Sequence, residues 1–380
     1  MANNVSALNK ERYSLRVQNL LRNTLIAFDI ANVALKDRMP DGNTVNFPRA
    51  SYLGISDYVK GTDISLADID TSNETLVINK TPIISFSYDD VDSLDNGYDI
   101  VSETSSDSAY RIKNDIEGNL LAEYVNALSS NAATTALTTG TTANVFGAAR
   151  AELMNDGVSN IVAVVDHNIM NSIGQAAIIN TFNVSDKSYT NAYQGDFQGM
   201  QLFASNNLSV TGTLAMATIP TAADTVTVNG VVFTFIPVPM GGVEGDVVIG
   251  ANVGEARANL TAAVNKAAGD GVTYFAFTDN VTNGKLEGQT FTVNGAAIDY
   301  VSKRGYRKVS SSLTPAADKF GQLTIHSIIM ARGSIHLVMQ KGVNMKTSDI
   351  PLQLGTIYKV WARYGIKTFT QGAERMFDLP

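Results

Sequence analysis

The segment from Asp41 to Glu103 constrains this chain more than any other. It opens on an Asp41-Gly42 turn followed by a β-prone run, Asn43 to Phe47. It closes on a second strand-forming set, Thr75 to Tyr88. The residues between are mostly polar and offer few candidates for a core. Two distant strands framing such a stretch predict a long β-hairpin arm that leaves its own domain. A lone hairpin is marginally stable in water, so the arm must lie on another molecule. The pattern points to assembly rather than to chemistry.

Charge follows the same division. Residues 1–40 carry six Lys or Arg and three acids, a balance of +3. Residues 41–103 carry three basic and twelve acidic residues, a balance of −9. Residues 331–380 carry seven basic and three acidic residues, a balance of +4. Opposite signs on separate segments can steer copies of one chain onto each other; acids that simply solvate an exposed arm give the same pattern. The net charge of −8 argues against general nucleic-acid binding. Only 17% of residues are charged, against about 25% in ordinary globular chains. Either a large interface covers much of the surface, or the surface is polar but uncharged.

The 380 residues allow two or three domains. There is no Cys, which excludes disulfides, thiolate metal sites and cysteine nucleophiles. The N-terminal sequence shows no apolar stretch before a small-residue cleavage site, and no apolar run approaches the length of a membrane span. A soluble protein made in the cytoplasm is expected.

Residues 6–36 are helical in period, with Leu8, Leu15, Leu20, Leu21, Leu25, Ile26 and Phe28 on the stripe and Ser6 as a possible cap. After the arm, Ile112, Ile116, Leu120, Leu121, Tyr124, Val125 and Leu128 form a second stripe, with Thr104 and Asp107 as candidate caps. A helix this long would be a structural spine. A helix ending near Asn155-Asp156-Gly157, an apolar strand at Ile161 to Val165, a helix from Asp166 to Ile179 and a strand at Gly199 to Ala204 give an α/β order. Composition changes at 211–322. Val226-Thr-Val-Asn-Gly230 and Phe291-Thr-Val-Asn-Gly295 each place Asn-Gly between β-rich runs, a strong hairpin signal. A helix ending at Gly269 lies between them. This reads as an inserted α+β domain with Val232, Phe233, Phe235, Tyr274, Phe275 and Phe277 in its core. A strand, a turn at Arg332-Gly333-Ser334, another strand and a closing strand pair follow.

This ordered set resembles the tailed-bacteriophage major capsid proteins of the HK97 fold. Gly42-Asn-Thr-Val-Asn-Phe-Pro48 resembles the start of the family's E-loop, and Phe86 to Asp92 its return. Ile161 to Ile173 and Gly199 to Ser205 resemble its A-domain, and Tyr364-Gly365 its closing strands. The likeness covers roughly 1–210 and 323–380. It implies an α+β, HK97-like capsid fold: N-terminal arm 1–40, E-loop 41–90, P-domain with spine helix 91–140, A-domain 141–210, inserted domain 211–322, and closing strands 323–380. It implies a major capsid protein that assembles as hexamers and pentamers into an icosahedral shell. Itself, scaffolding and portal proteins would be its partners, and double-stranded DNA would be enclosed without sequence-specific binding. The location would be the virion, assembled in the host cytoplasm. An encapsulin-like compartment around cargo proteins, or an enzyme of unknown class, are the alternatives.

No catalytic residue, cofactor or metal site is expected. There is no G-x-S-x-G, Walker A or dinucleotide motif. Asp89, Asp90 and Asp92 lack the glycine and glutamate of a calcium loop. His326 and His336 sit in apolar strand contexts, as core residues do, and Asp166-His167 has no evident third partner. The basic run Lys303 to Lys308 suits either phosphate or acidic neighbours. The residues expected at inter-subunit contacts are Arg12, Arg16, Arg22, Arg49, Tyr58, Lys60, Asp63, Asp68, Asp70 and Glu74.

Overall fold

Residues Ile100–Leu121 form one α-helix of 22 residues, about 33 Å long. Its apolar residues recur one turn apart, so Ile112, Ile116 and Leu120 make one buried stripe. The helix begins before Thr104 and Asp107, so neither caps it. At Ala122 it tightens into a 3-10 turn, Ala122–Asn126. The change of period rotates the stripe: Tyr124 stays buried, whereas Val125 and Leu128, expected on the stripe, are exposed. The computed structural model describes residues 25–33, 42–50, 53–63, 66, 68–69, 71–89, 100–133, 135, 137–138, 140–177, 193–237, 242–305, 308–315, 317–351 and 354–380.

The long helix packs on a three-stranded antiparallel sheet, ordered Ile335–Asp349, Gly355–Thr368, Ile83–Asp89. Val360, Ala362 and Tyr364 face the helix stripe, with Leu337 and Met339 beside them. Ile83–Asp89 contains the Phe86 stretch expected as the arm's return. It pairs instead with the closing strand, from Gly355↔Asp89 to Trp361↔Ile83.

The expected first helix is described only from residue 25. An α-helical turn spans Ala27–Ile30 and ends there, with Ala31 extended. It does not continue to 36, because the chain finds other partners. Gly333 donates to the Ile30 carbonyl, and Asn32 donates to that of Ile335. Ile26 and Ile30 are buried in the main core, whereas Phe28 is exposed.

A five-stranded mixed sheet follows, ordered Met376–Leu379, Ser327–Ala331, Ile161–Val165, Met200–Ala204, Tyr193–Phe197. Ile161–Val165 is buried throughout, as its unbroken apolar run predicts. It runs parallel to Met200–Ala204. The helix Thr142–Asn155 supplies Phe146, Ala149 and Leu153 to one face, and His167–Ala177 supplies Ile173.

Beyond Asn207 the chain builds two four-stranded sheets. Val228↔Val231 brackets the Asn229-Gly230 turn and Asn294↔Ala297 the Gly295-Ala296 turn, so both expected hairpins form. The helix Val253–Asn265 ends four residues before Gly269, because Lys266 takes the left-handed cap conformation. Phe233, Phe235, Leu260, Tyr274, Phe291 and Tyr300 belong to a buried cluster drawn from this segment alone. Val232, expected in that core, faces solvent. Entry strand Val210–Ala215 pairs with exit strand Thr324–Ile325, bringing the segment's ends together.

Glu117 joins these parts. Its side chain is fully buried on the long helix. One oxygen accepts from the backbone N–H groups of Ile26 (2.5 Å) and Ala27 (3.2 Å). The other accepts from Ser205 Oγ (2.8 Å) and Asn207 Nδ2 (3.0 Å). Four donors satisfy a carboxylate that burial would otherwise penalise. One turn of helix thereby holds the N-terminal segment and the 205–207 stretch that leads into the 210–325 segment. Next to it, a Cβ on Gly118 would collide with the Lys303 carbonyl oxygen, so this contact requires glycine.

Two substitutions test this joint. Glu117→Leu strands four donors and is expected to lower stability by about 3 kcal/mol or more, read by chemical denaturation; a loss below about 1 kcal/mol contradicts the role. Gly118→Ala, which stabilises an ordinary exposed helix by about 1 kcal/mol, is expected to destabilise here by about 1–3 kcal/mol. A raised melting temperature would show that the helix and the 302–305 loop do not touch.

Candidate functional site

The arm is a hairpin of Thr44–Ala50 and Thr71–Val77, in register from Thr44↔Val77 to Ala50↔Thr71. Its root is anchored in its own chain. Leu76, Ile78, Val338 and Phe369 form a small buried cluster, with Val45 and Phe47 against it. Gly365 makes this crossing possible: a Cβ there would lie 2.5 Å from the Val77 carbonyl oxygen and 2.9 Å from Leu76 Cδ2. The neighbouring Tyr364 is buried, and its hydroxyl meets Asp115 Oδ2 and Asn119 Nδ2, each at 3.1 Å. Burial, then the Asp115 charge, holds its pKa above the usual tyrosine value.

His336 lies in the same root. Its ring centroid is 4.7 Å from that of Phe369 and 6.3 Å from that of Phe47. Burial depresses its pKa, against opposing influences from the Ser334 backbone and Glu74. It behaves as a core histidine, as its strand context predicts.

Past the root the arm loses its support. Ile55 and Leu66 are 101% and 92% exposed. Leu53, Tyr58, Val59 and Ile69 are also exposed. The tip turns at Val59–Thr62, where Thr62 N and Oγ1 both donate to the Val59 carbonyl. Six large apolar side chains on one projecting segment form an uncovered patch of the kind that marks a protein contact.

The expected contact residues separate into three groups. Tyr58, Lys60, Asp63 and Asp68 are exposed on the tip. Arg49 and Glu74 have partners in their own chain: they face each other at 3.8 Å across the hairpin, and Glu74 accepts from Thr370 N at 3.2 Å. Hydrogen bonding from Thr370 lowers the Glu74 pKa, against a rise from burial. Arg12, Arg16, Arg22 and Asp70 lie outside the described residues.

Within the basic run at 303–308, Lys303 and Arg304 are tied inward, whereas Lys308 is exposed. Arg304 contacts Glu287 at 2.7 Å and Asp115 at 3.4 Å, and Arg111 joins Glu287 at 3.3 Å. Lys80 Nζ donates to Asn119 Oδ1 at 2.7 Å, and Lys303 Nζ lies 3.4 Å from the same oxygen. Burial, then Lys303, lowers the Lys80 pKa. This network ties the arm's return, the long helix, the closing strand and the 210–325 segment together.

Two further polar constellations are built into the fold. Asp166 Oδ2 accepts from Asn168 N at 3.0 Å as a helix cap, while His167 faces solvent. His326 places Nδ1 2.9 Å from Asp378 Oδ2 and Nε2 2.8 Å from Thr211 Oγ1, and stacks on Tyr124 at 4.0 Å. Burial, then Asp378, pushes the Tyr124 pKa up to about 12. Thr, His and Asp lie in sequence as a nucleophilic triad would, but His326 and Tyr124 are both buried. The trio clamps the entry and exit strands of the 210–325 segment to the C-terminal strand. Sequence reasoning missed it because Thr211, His326 and Asp378 are far apart in the chain. No group of three His, Asp or Glu capable of holding a metal occurs among the described residues.

No known family description matches the sequence, and no curated protein matches it. Solved structures do match by shape. A structure from Mycobacterium phage Che8 aligns with 97% of this chain and 96% of its own, at a TM-score of 0.56 and 11% identity. The capsid structure of cyanophage P-SCSP1u aligns with 100% of this chain and 94% of its own, at 0.55 and 12%. The capsid of Helicobacter pylori bacteriophage KHP30 aligns with 99% and 96%, at 0.51 and 10%. The chain has the fold of these phage particles, the HK97-like α+β arrangement that the sequence resemblance implies.

Two outcomes are expected. Deleting residues 50–73 removes the uncovered tip but leaves the root cluster, so the chain should stay folded by circular dichroism and lose self-association by light scattering. Because His336 is held neutral in the fold, stability should fall as pH drops below its ordinary value of 6.5. His336→Phe should flatten the fall of the denaturation midpoint below pH 6.5; an unchanged slope would mean that another group sets the acid response.

Proposed function

We propose that this chain is the major capsid protein of a tailed phage, assembling as hexamers and pentamers into an icosahedral shell around double-stranded DNA. One observation carries the reading: a fold shared with phage capsid structures over nearly its whole length, combined with an arm whose apolar tip has no cover in its own chain. The long helix and its sheet form the rigid body that bears the arm, and the five-stranded sheet forms the second body. The 210–325 segment, with its own buried cluster and paired ends, is the inserted domain and projects from the shell surface. No side-chain constellation in this reading performs catalysis. Scaffolding and portal proteins are the expected assembly partners, and the virion is the expected location.

Negative-stain microscopy of the purified chain, with and without a scaffold, tests the proposal. Shells, tubes or rings of capsomers are expected. Only monodisperse particles near 40.6 kDa under every salt and scaffold condition would overturn it.

A further inference from the structure

The 210–325 segment repeats one short sequence in two structural settings. Thr227-Val228-Asn229-Gly230 and Thr292-Val293-Asn294-Gly295 are identical in residue type. In an Asn-Gly pair the glycine nitrogen can attack the asparagine side-chain amide, because glycine has no Cβ to obstruct the approach. In the first copy Asn229 lies inside its turn, at a φ of 50°. Its backbone N–H donates to the Lys308 carbonyl at 2.6 Å, and its Nδ2 donates to the Lys285 carbonyl at 3.0 Å. Main chain and side chain are thus both held, and the residue is half-buried. In the second copy Asn294 is the last strand residue before its turn, and Asn294 and Gly295 are both exposed. Its side chain is held by an exposed bond from Nδ2 to Asp299 Oδ2 at 2.8 Å. A Cβ on Gly295 would meet nothing within 4 Å, so the approach is open. A third pair, Asn283-Gly284, lies in the short helix Asn280–Lys285. There Asn283 Nδ2 donates to the Phe277 carbonyl at 2.7 Å, and Arg111 Nη2 crowds Gly284.

We infer that Asn294 is a self-modifying site, converting to aspartate and iso-aspartate while Asn229 and Asn283 stay intact. The Gly295 nitrogen gives its proton to hydroxide and attacks Asn294 Cγ. The Cγ–Nδ2 bond breaks, and the nitrogen leaves as ammonia after taking a proton from water, which closes a succinimide ring. Water then opens the ring at either carbonyl. One opening gives aspartate; the other gives iso-aspartate, with an extra methylene in the main chain. The surroundings give this change a consequence. The new carboxylate faces Asp299 where the amide had donated, and like charges at that distance repel. The next carbonyl, that of Gly295, accepts from Arg257 Nη1. Arg257 is buried on the helix Val253–Asn265, and its Nε has no hydrogen-bond partner among the described residues. Shifting the Gly295 carbonyl therefore takes an acceptor from a buried cation. Conversion at one exposed residue loosens the helix from its hairpin and adds negative charge at the hairpin end. None of this depends on the shell reading.

Peptide mapping by mass spectrometry, on the full chain held for weeks in mildly alkaline buffer, tests the assignment. Because the two repeats share their local sequence, Asn229 is an internal control. In the folded chain Asn294 is expected to convert several-fold faster than Asn229, and in denaturant the two rates should converge. Equal rates in the folded chain, or faster conversion at Asn229, would overturn the inference. A gap that persists in denaturant would trace the difference to sequence and overturn it as well. The consequence is read separately. Asn294→Asp should lower the melting temperature and speed hydrogen exchange across 253–265. Asn294→Gln, which keeps the amide and closes a ring far more slowly, should leave both near the parent values. If Asn294→Asp does not fold, aged and fresh parent chains supply the same comparison. A converted chain that matches the parent in both measurements would overturn the link to Arg257.

Discussion

Two distant segments of the molecule are fastened to one buried carboxylate and the helix turn that carries it. Glu117 sits inside the apolar stripe of Ile100–Leu121 with four donors around it. A buried charge is tolerated only when its hydrogen-bonding capacity is filled. The donors come from residues 26–27 and 205–207, so filling it fixes two distant segments on one helix. Gly118, next in the chain, lets the 302–305 loop reach the same helix. The closing strand docks from the other side through Tyr364, Asp115 and Asn119. The result is a rigid frame from which two things depart: the arm and the 210–325 segment.

Those departures differ physically. The 210–325 segment leaves with its own buried cluster, a paired entry and exit, and the Thr211–His326–Asp378 clamp at its base. It buries its large aromatic residues in its own cluster, while Val232, Val272 and Val281 stay exposed. The arm does not. Its root is closed by Leu76, Ile78 and Phe369, but its tip exposes Ile55, Leu66 and their neighbours. The sheet beside it places Lys341 opposite Arg363 and Lys346 opposite Lys359, with no ion pair to any of them among the described residues.

Much of this was legible in the sequence. The arm could be read because strand residues flank a stretch with no core, and the spine because Ile112, Ile116 and Leu120 repeat at helical spacing. The Asn-Gly pairs marked their hairpins through local turn chemistry. What escaped notice depends on long-range partners. The first helix stops at Ile30 because Gly333 and Ile335 take over its hydrogen bonds. Phe86 joins the closing strand rather than the arm because Gly355–Thr368 offers it an edge. Glu117 had a signal, an acid set among stripe residues, but its donors lie about 90 residues away on each side. The opposed lysines are invisible until the register is known.

The most direct measurement of the central claim is hydrogen–deuterium exchange of residues 53–69, compared between unassembled chain and purified particles. Rapid exchange is expected in the free chain and strong protection after assembly, with the root at 74–78 protected in both. Equal exchange in the two states, with particles present, would show that the arm is not what holds the copies together.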